Sequence, residues 1–403
     1  MYLNCHTYFS LKYGVIPPKT LLDLMIDSGQ KSFAITDINN TSAALELLRL
    51  SQERDINLSL GVDFRNGVRQ QFVGIAKNNH GFKDLNSYLS FHLNHQKSLD
   101  RLAPFFKHAF IIYPFGVVNP DELKSGQYVG LSVRDLAKLK FSVWKEHQDK
   151  LVVLQTITFR NKKDFNMHRI LRAIDNNVLL SCLSKEEEAS EDDVFMSSNA
   201  LEEQFRSYPL IIENTRRLLQ ETNVSFRFND DTHHQNLKSY TNNEALDFRL
   251  MKKLCYDGLS YRYAVVDDVI LDRLSNELQV IREKGFVAYF LIAWKILKYA
   301  RARNYFYVGR GSGANSIVAY LMRITDVDPI ELDLYFERFI NLFRKSPPDF
   351  DIDFSWKERE DVTQYIFKRF DNVALLGAYS TFKHKSVIRE IAKTFGLPDY
   401  EIK

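Results

Sequence analysis

Cysteine is nearly missing from this sequence: Cys5, Cys182 and Cys255 are the three in 403 residues, odd in number and far apart. That excludes a disulfide framework and a zinc site built on cysteine pairs. Long apolar runs are absent as well. No stretch of about 18 uncharged apolar residues occurs, so nothing reads as a membrane-spanning helix. The opening, Met1-Tyr2-Leu3-Asn4-Cys5-His6, has neither a basic n-region nor an apolar h-region, and a cytoplasmic location with no membrane partner is expected. Charge of one sign is scarce. The net charge of +3 is too small an excess to argue for nucleic acid by itself.

What is there is enough apolar material, 45% of the chain, for about two or three domains. The charges are patterned locally. Lys295, Lys298, Arg301, Arg303 and Arg310 run without an acid among them, while 185–193 reads KEEEASEDD. Each segment taken alone reads as solvated surface.

Up to about residue 228, short apolar runs alternate with amphipathic ones. FAIT (33–36), LSLGVDF (58–64), QFVGIA (71–76), FIIY (110–113) and LVVLQT (151–156) predict buried strands, and 41–54 predicts a helix. This alternation predicts an α/β domain, barrel-like, over residues 1–228. The polar stretch FRFNDDTHHQN (226–236) marks a linker, placed at 229–241. Longer helices follow, at 242–259, 271–284 and 286–303, in a second domain expected to span 242–403.

Two motifs in that second domain carry chemistry. In Pro347-Pro348-Asp349-Phe350-Asp351-Ile352-Asp353-Phe354, strand alternation puts Asp349, Asp351 and Asp353 on one face and the apolar residues on the other. Carboxylates so aligned repel unless cations sit among them. Mg²⁺ takes oxygen ligands, and two such ions can clamp the oxygens of a phosphoryl transfer. A calcium loop would need glycine where Phe354 stands, whereas a merely acidic edge strand remains an alternative. Upstream, a strand predicted at 305–308 leads into Gly309-Arg310-Gly311-Ser312-Gly313-Ala314-Asn315-Ser316 and the apolar IVAYLM. Glycines between strand and helix let N–H groups approach an anion, the helix N-terminus adds its dipole, and Arg310 offers a planar fork. The sequence lacks the G-K-[ST] ending of a Walker A loop, and a plain turn is the alternative. Arg344 and Lys345 lie close enough in sequence to meet the same phosphates.

The stretch 308–354, VGRGSGANSIVAYLMRITDVDPIELDLYFERFINLFRKSPPDFDIDF, closely resembles the palm of bacterial C-family DNA polymerases, the family of the DNA polymerase III α subunit. ELQVIREKGFVAYFLIAWKILKYAR before it and TFKHKSVIREIAKTFGLP after it continue the likeness. NCHTYFSLKYG, FAITDINN, LGVDF and FVGIAKNNHGFKDL resemble that family's polymerase and histidinol phosphatase (PHP) domain. The resemblance implies a PHP-like (βα) barrel-type domain followed by an α+β nucleotidyltransferase-type palm, incomplete at its C-terminus. It implies DNA-directed DNA polymerase activity in the full-length protein, with this part alone inactive. Asp351 and Asp353 match the metal-binding catalytic aspartates, with Asp349 supporting. Arg310, Gly311, Ser312 and Arg344 match residues that hold the triphosphate. Two Mg²⁺ ions would be shared with an aspartate outside this chain. The implied partners are primer–template DNA, deoxynucleoside triphosphates, a sliding clamp and other replisome subunits through regions absent here, and a proofreading exonuclease at the PHP domain.

The PHP part departs from its family pattern. Active members carry His-x-His where Asn4-Cys5-His6 stands, Ile38 and Gln71 occupy two further histidine positions, and Thr156 and Thr158 stand where an Asp and a His would be. His6, Asp37 and Asp63 remain, too few for a polynuclear site. A scaffold is therefore expected, with a metal-dependent phosphoesterase as the rival reading.

Overall fold

The structure is a computed structural model that describes residues 1–54, 56–228, 237–341, 349–371 and 373–402. It divides into two compact units, Met1–Asn229 together with Ser380–Lys403, and Asp230–Tyr379. The last segment thus groups with the first unit, whereas the sequence expectation carried the second domain through to residue 403.

The first unit starts with β1 (Asn4–Cys5), α1 (Pro18–Asp27), β2 (Ser32–Ile35), α2 (Ala43–Gln52), β3 (Asn57–Asn66), β4 (Arg69–Ala76), α3 (Asn79–Asn94) and β5 (Ala109–Pro114). It continues through β6 (Gln127–Leu131), α4 (Leu136–Leu139), β7 (Leu151–Val153), β8 (Thr156–Ile157), α5 (Lys162–Asn176), α6 (Ser198–Gln204) and α7 (Pro209–Gln220). Strands β2 to β7 hydrogen-bond in sequence order as one mixed sheet. The sheet also returns toward its start. The stretch that pairs with β6 through Leu151–Val153 pairs with β1 three residues later, from Thr156, and a Tyr2–Phe33 bridge joins β1 to β2. This is the barrel-type α/β arrangement expected from the alternating pattern.

Each strand forms where apolar side chains can be covered. In β3 the eight residues Leu58–Arg65 are all buried, as happens when both sheet faces are packed. The Asn78 and Asn161 side chains accept hydrogen bonds from the first N–H groups of α3 and α5 and fix where those helices begin. Helix α7 is locked to the sheet edge by polar contacts. Thr215 Oγ1 accepts from the Val153 N–H at 2.8 Å and Asn214 donates to the Leu151 carbonyl at 3.0 Å. The sequence pattern missed β6, whose Gln-Tyr-Val-Gly-Leu interrupts the apolar run with polar and glycine positions.

The second unit contains α8 (Glu244–Arg262), α9 (Asp268–Glu283), α10 (Val287–Ala302), β9 (Tyr307–Arg310), α11 (Ile317–Leu321), β10 (Asp351–Phe354) and α12 (Arg359–Arg369). Its core joins Met251, Cys255, Leu274, Leu278, Phe290, Leu297 and Phe339. At Gly258 a Cβ would lie 2.2 Å from the Leu321 carbonyl oxygen, so α8 packs against α11 backbone to side-chain-free backbone. The chain then returns to the first unit with α13 (His384–Thr394), which packs on α5, and α14 (Asp399–Ile402). Among the described residues no helix is long and apolar enough to cross a membrane.

Candidate active site

The two motifs of the second unit meet in one antiparallel ladder. Asp351 pairs with Arg310, Ile352 with Gly309, Asp353 with Val308 and Phe354 with Tyr307. Alternation explains which side chains face inward. Phe350, Ile352 and Phe354 lie against the core, Phe350 stacking on Tyr289 at 5.1 Å and meeting Phe290 edge-on at 5.0 Å. The Phe350 N–H donates to the Tyr289 hydroxyl at 2.8 Å. The strand is thereby anchored on one face, and Asp351 and Asp353 stand on the open one, each about half exposed.

Arg310 sits between them, its Nε 2.6 Å from Asp353 Oδ2 and its Nη1 3.4 Å from Asp351 Oδ2. The hydrogen bond to Asp353 and the two negative charges raise the guanidinium's pKa above its ordinary value. The expected strand at 305–308 lies two residues later, at Tyr307–Arg310. Arg310 is therefore the end of a strand and not part of the loop, which is why it reaches the carboxylates.

Gly311 follows with φ +75°, and a Cβ there would lie 2.6 Å from Asp351 Oδ2. The backbone conformation favours glycine, and a Cβ would push the Asp351 carboxylate aside. Gly311–Asn315 forms a 3₁₀ turn, held by Asn315 Nδ2 donating to the Ser312 carbonyl at 2.9 Å. Asp349 is exposed and precedes β10, so the strand carries a pair of carboxylates and not the row of three that alternation alone predicted. Arg344 and Lys345 lie outside the described residues.

The helix N-terminus expected to greet an anion already has one. Helix α11 is five residues long, and the buried Glu277 of α9 accepts from Ser316 Oγ at 2.7 Å, the Ile317 N–H at 3.2 Å and the Val318 N–H at 3.3 Å. Arg273 completes the anchor, donating to Glu277 at 2.7 Å and to the Asn315 and Leu334 carbonyls at 3.1 and 2.8 Å. Burial pushes the Glu277 carboxyl up from its usual range against these donors. The dipole contribution expected from this helix start is thus spent on an internal carboxylate. No sequence motif signals Glu277, which lies about forty residues before its partners.

In the first unit, His6 follows β1, Asp37 follows β2 and Asp63 lies within β3. The fold brings them together, and their polar atoms are largely used. His6 Nε2 is 3.0 Å from Asp63 Oδ2 and Nδ1 is 3.0 Å from Thr158 Oγ1. Asp37 accepts from the Thr7 N–H and hydroxyl and from Ser10, at 2.6 to 2.7 Å. Burial raises the Asp37 pKa despite these donors. Burial also works against the charged form of Asp63, but the Arg65 charge and His6 outweigh it and hold that carboxyl below the usual range.

The other altered positions are packed away. Cys5 and Thr158 are buried, Gln71 bonds the Arg69 carbonyl at 3.1 Å, and Thr156 accepts from Asn4 at 3.0 Å. His168 is structural: Nδ1 donates to the Tyr13 carbonyl at 2.7 Å, Nε2 accepts from the Ala189 N–H at 2.9 Å, and burial pulls its pKa down to about 4. Sequence reasoning missed Arg65, although its place two residues after Asp63 in a strand puts both on one face.

Residues 3–113 match the family described as the PHP domain, and residues 249–403 match the bacterial DNA polymerase III alpha NTPase domain. The class of protein is therefore a PHP domain joined to a polymerase-type NTPase domain. Each family match covers less than half of the chain, and together they support a likeness to the N-terminal part of bacterial C-family DNA polymerases, the family of the DNA polymerase III α subunit. An error-prone DNA polymerase of Symbiobacterium thermophilum is 25% identical over 100% of this chain and 41% of its own length. The DNA polymerase III subunit alpha of Ureaplasma parvum is 27% identical over 98% of this chain and 39% of its own. That of Halalkalibacterium halodurans is 35% identical, over 62% of this chain and 22% of its own. The chain thus spans about two fifths of the length of the relatives that it matches end to end.

Proposed function

We propose that this chain is the PHP and palm part of a DNA polymerase that adds deoxynucleotides to a primer 3′ hydroxyl and releases pyrophosphate. The observation that carries the reading is the β9/β10 ladder, in which the carboxylates and the glycine loop, found separately in sequence, share one open face. Two exposed carboxylates on a rigid strand are an oxygen donor set suited to hard divalent cations, and Gly311 leaves open the space beside Asp351 that a side chain would fill. Mg²⁺ fits this chemistry. When bound, a pair of such ions stabilises charge on the phosphoryl oxygens and lowers the pKa of the attacking hydroxyl.

Asp351 and Asp353 would hold the ions, joined by an aspartate from elsewhere in the full-length protein and supported by Asp349. Arg310 and the backbone of Gly311 and Ser312 would bind the triphosphate, together with Arg344. Primer–template DNA and deoxynucleoside triphosphates are the substrates of this reading, and the sliding clamp and other replisome subunits would bind through further regions. Alanine at Asp351 or Asp353 in the full-length protein is expected to reduce primer extension to near background. Normal extension by both variants would exclude the assignment.

The rival phosphoesterase reading of the first unit is weaker, because both nitrogens of His6, both oxygens of Asp37 and Oδ2 of Asp63 are already engaged by protein groups. A scaffold role, including docking of a proofreading exonuclease, suits that unit better.

A further inference from the structure

The PHP family pattern implies a metal centre, and the residues that stand here do not fit one. Among the described residues no group of three or more His, Cys, Asp or Glu side chains is arranged to hold an ion. Both ring nitrogens of His6 and both oxygens of Asp37 are engaged by other protein groups. What remains is Asp63, fully buried, with Oδ1 lacking a hydrogen-bond partner and Oδ2 ringed by donors. A carboxylate in such a place needs a cation beside it.

The geometry points to Arg65 as that cation: a guanidinium built into the chain takes the place of the metal beside Asp63. Arg65 donates to Asp63 Oδ2 from Nε at 3.0 Å and from Nη2 at 2.8 Å. Its Nη1 reaches the Tyr13 hydroxyl at 3.0 Å and the Val68 carbonyl at 3.3 Å, and Cζ lies 5.1 Å from the Tyr13 ring centre. Asp63 Oδ2 also receives Asn4 Nδ2 at 3.3 Å and His6 at 3.0 Å. The same carboxylate therefore ties β1 to β3. A register shift between Phe64 and Arg65 marks this point of the β3/β4 ladder, where a bulge re-aims side chains next to a site. A fork of several donors suits this role better than lysine, whose ammonium is a single point.

A tethered cation cannot dissociate, so the first unit should fold without metal and ignore chelators. The test uses the whole chain, purified without added metal. Elemental analysis should find well under one equivalent of zinc, manganese or iron. The thermal unfolding midpoint should be the same with and without EDTA. R65M should lower that midpoint by roughly 5 °C or more, because it strands a buried carboxylate. D63N/R65M should recover at least half of the loss, since no charge is then left unpaired. R65K should fall between wild type and R65M. Stoichiometric metal whose removal lowers the midpoint would overturn the inference, and so would a double variant no more stable than R65M. If R65M fails to fold, soluble D63N/R65M supports the inference, and if both fail, the EDTA comparison on the wild-type chain decides it.

Discussion

Asp351 stands opposite Arg310 across the β9/β10 ladder, and the guanidinium that leaves Arg310 bridges from there to Asp353. The residue expected to grip phosphate therefore doubles as the counter-ion of the carboxylates. Any divalent cation arriving at Asp351 and Asp353 competes with it.

R310A should accordingly shift two affinities in opposite directions. Manganese titration followed by calorimetry or electron paramagnetic resonance should show binding tighter by roughly two- to five-fold, the modest change expected of an exposed ion pair. Triphosphate binding in the presence of the cation should weaken, and its salt dependence should shrink. Unchanged metal affinity would mean that the bridge has no hold on the carboxylates.

Gly311→Ala places a side chain at a φ of +75° and a Cβ 2.6 Å from Asp351 Oδ2, which must then move aside. The backbone conformation alone costs about 1 to 2 kcal/mol. The second unit should remain folded by circular dichroism, while primer extension by the full-length protein falls at least tenfold as Asp351 is displaced. Wild-type extension would show that the carboxylate tolerates the shift.

Glu277 fastens the loop from beneath. Replacing it with alanine removes the acceptor of Arg273 Nε, of the Ser316 hydroxyl and of two N–H groups in the core, a loss of about 3 to 5 kcal/mol. Glu277→Gln keeps the acceptor and should cost less. Urea denaturation compares the two, and equal losses would argue against the anchor as drawn.

The pH dependence of the first unit should carry a signature of Asp193. Burial pushes this carboxyl up to about 6, with Arg65 and Arg134 pulling the other way. Its folded pKa exceeds the unfolded value, so the folded state holds the proton more tightly and stability falls as pH rises between about 4 and 6. The contribution is roughly 3 kcal/mol, present in full below pH 4 and gone above pH 6. Asp193→Asn should flatten stability across that window in thermal melts at pH 4, 5, 6 and 7. A slope unchanged by the substitution would assign it to another group.

Much of this was legible in order of residues alone, because strand and helix impose fixed periods on apolar positions. The strands at 58–64, 71–76 and 110–113 fall inside β3, β4 and β5, since continuous apolar runs of that length have nowhere to go but a covered sheet. DFDIDF declared which carboxylates share a face, because alternation is a property of the backbone itself. The strand before the glycine loop was misplaced by two residues, as its aromatic run Tyr305-Phe306-Tyr307 gives no sign of where pairing starts. Pairing begins where Phe354 finds Tyr307, a choice made across 47 residues of chain.

Sequence by itself thus determined which side chains could meet an ion or a phosphate, since that depends on residue type and local period. Tertiary structure alone decided which charges neutralise which. Arg310 lies on Asp353, Glu277 takes the start of α11, and Arg65 lies on Asp63. A Coulombic partner is set by distance in space and by burial, and neither quantity is written in the spacing of residues along the chain.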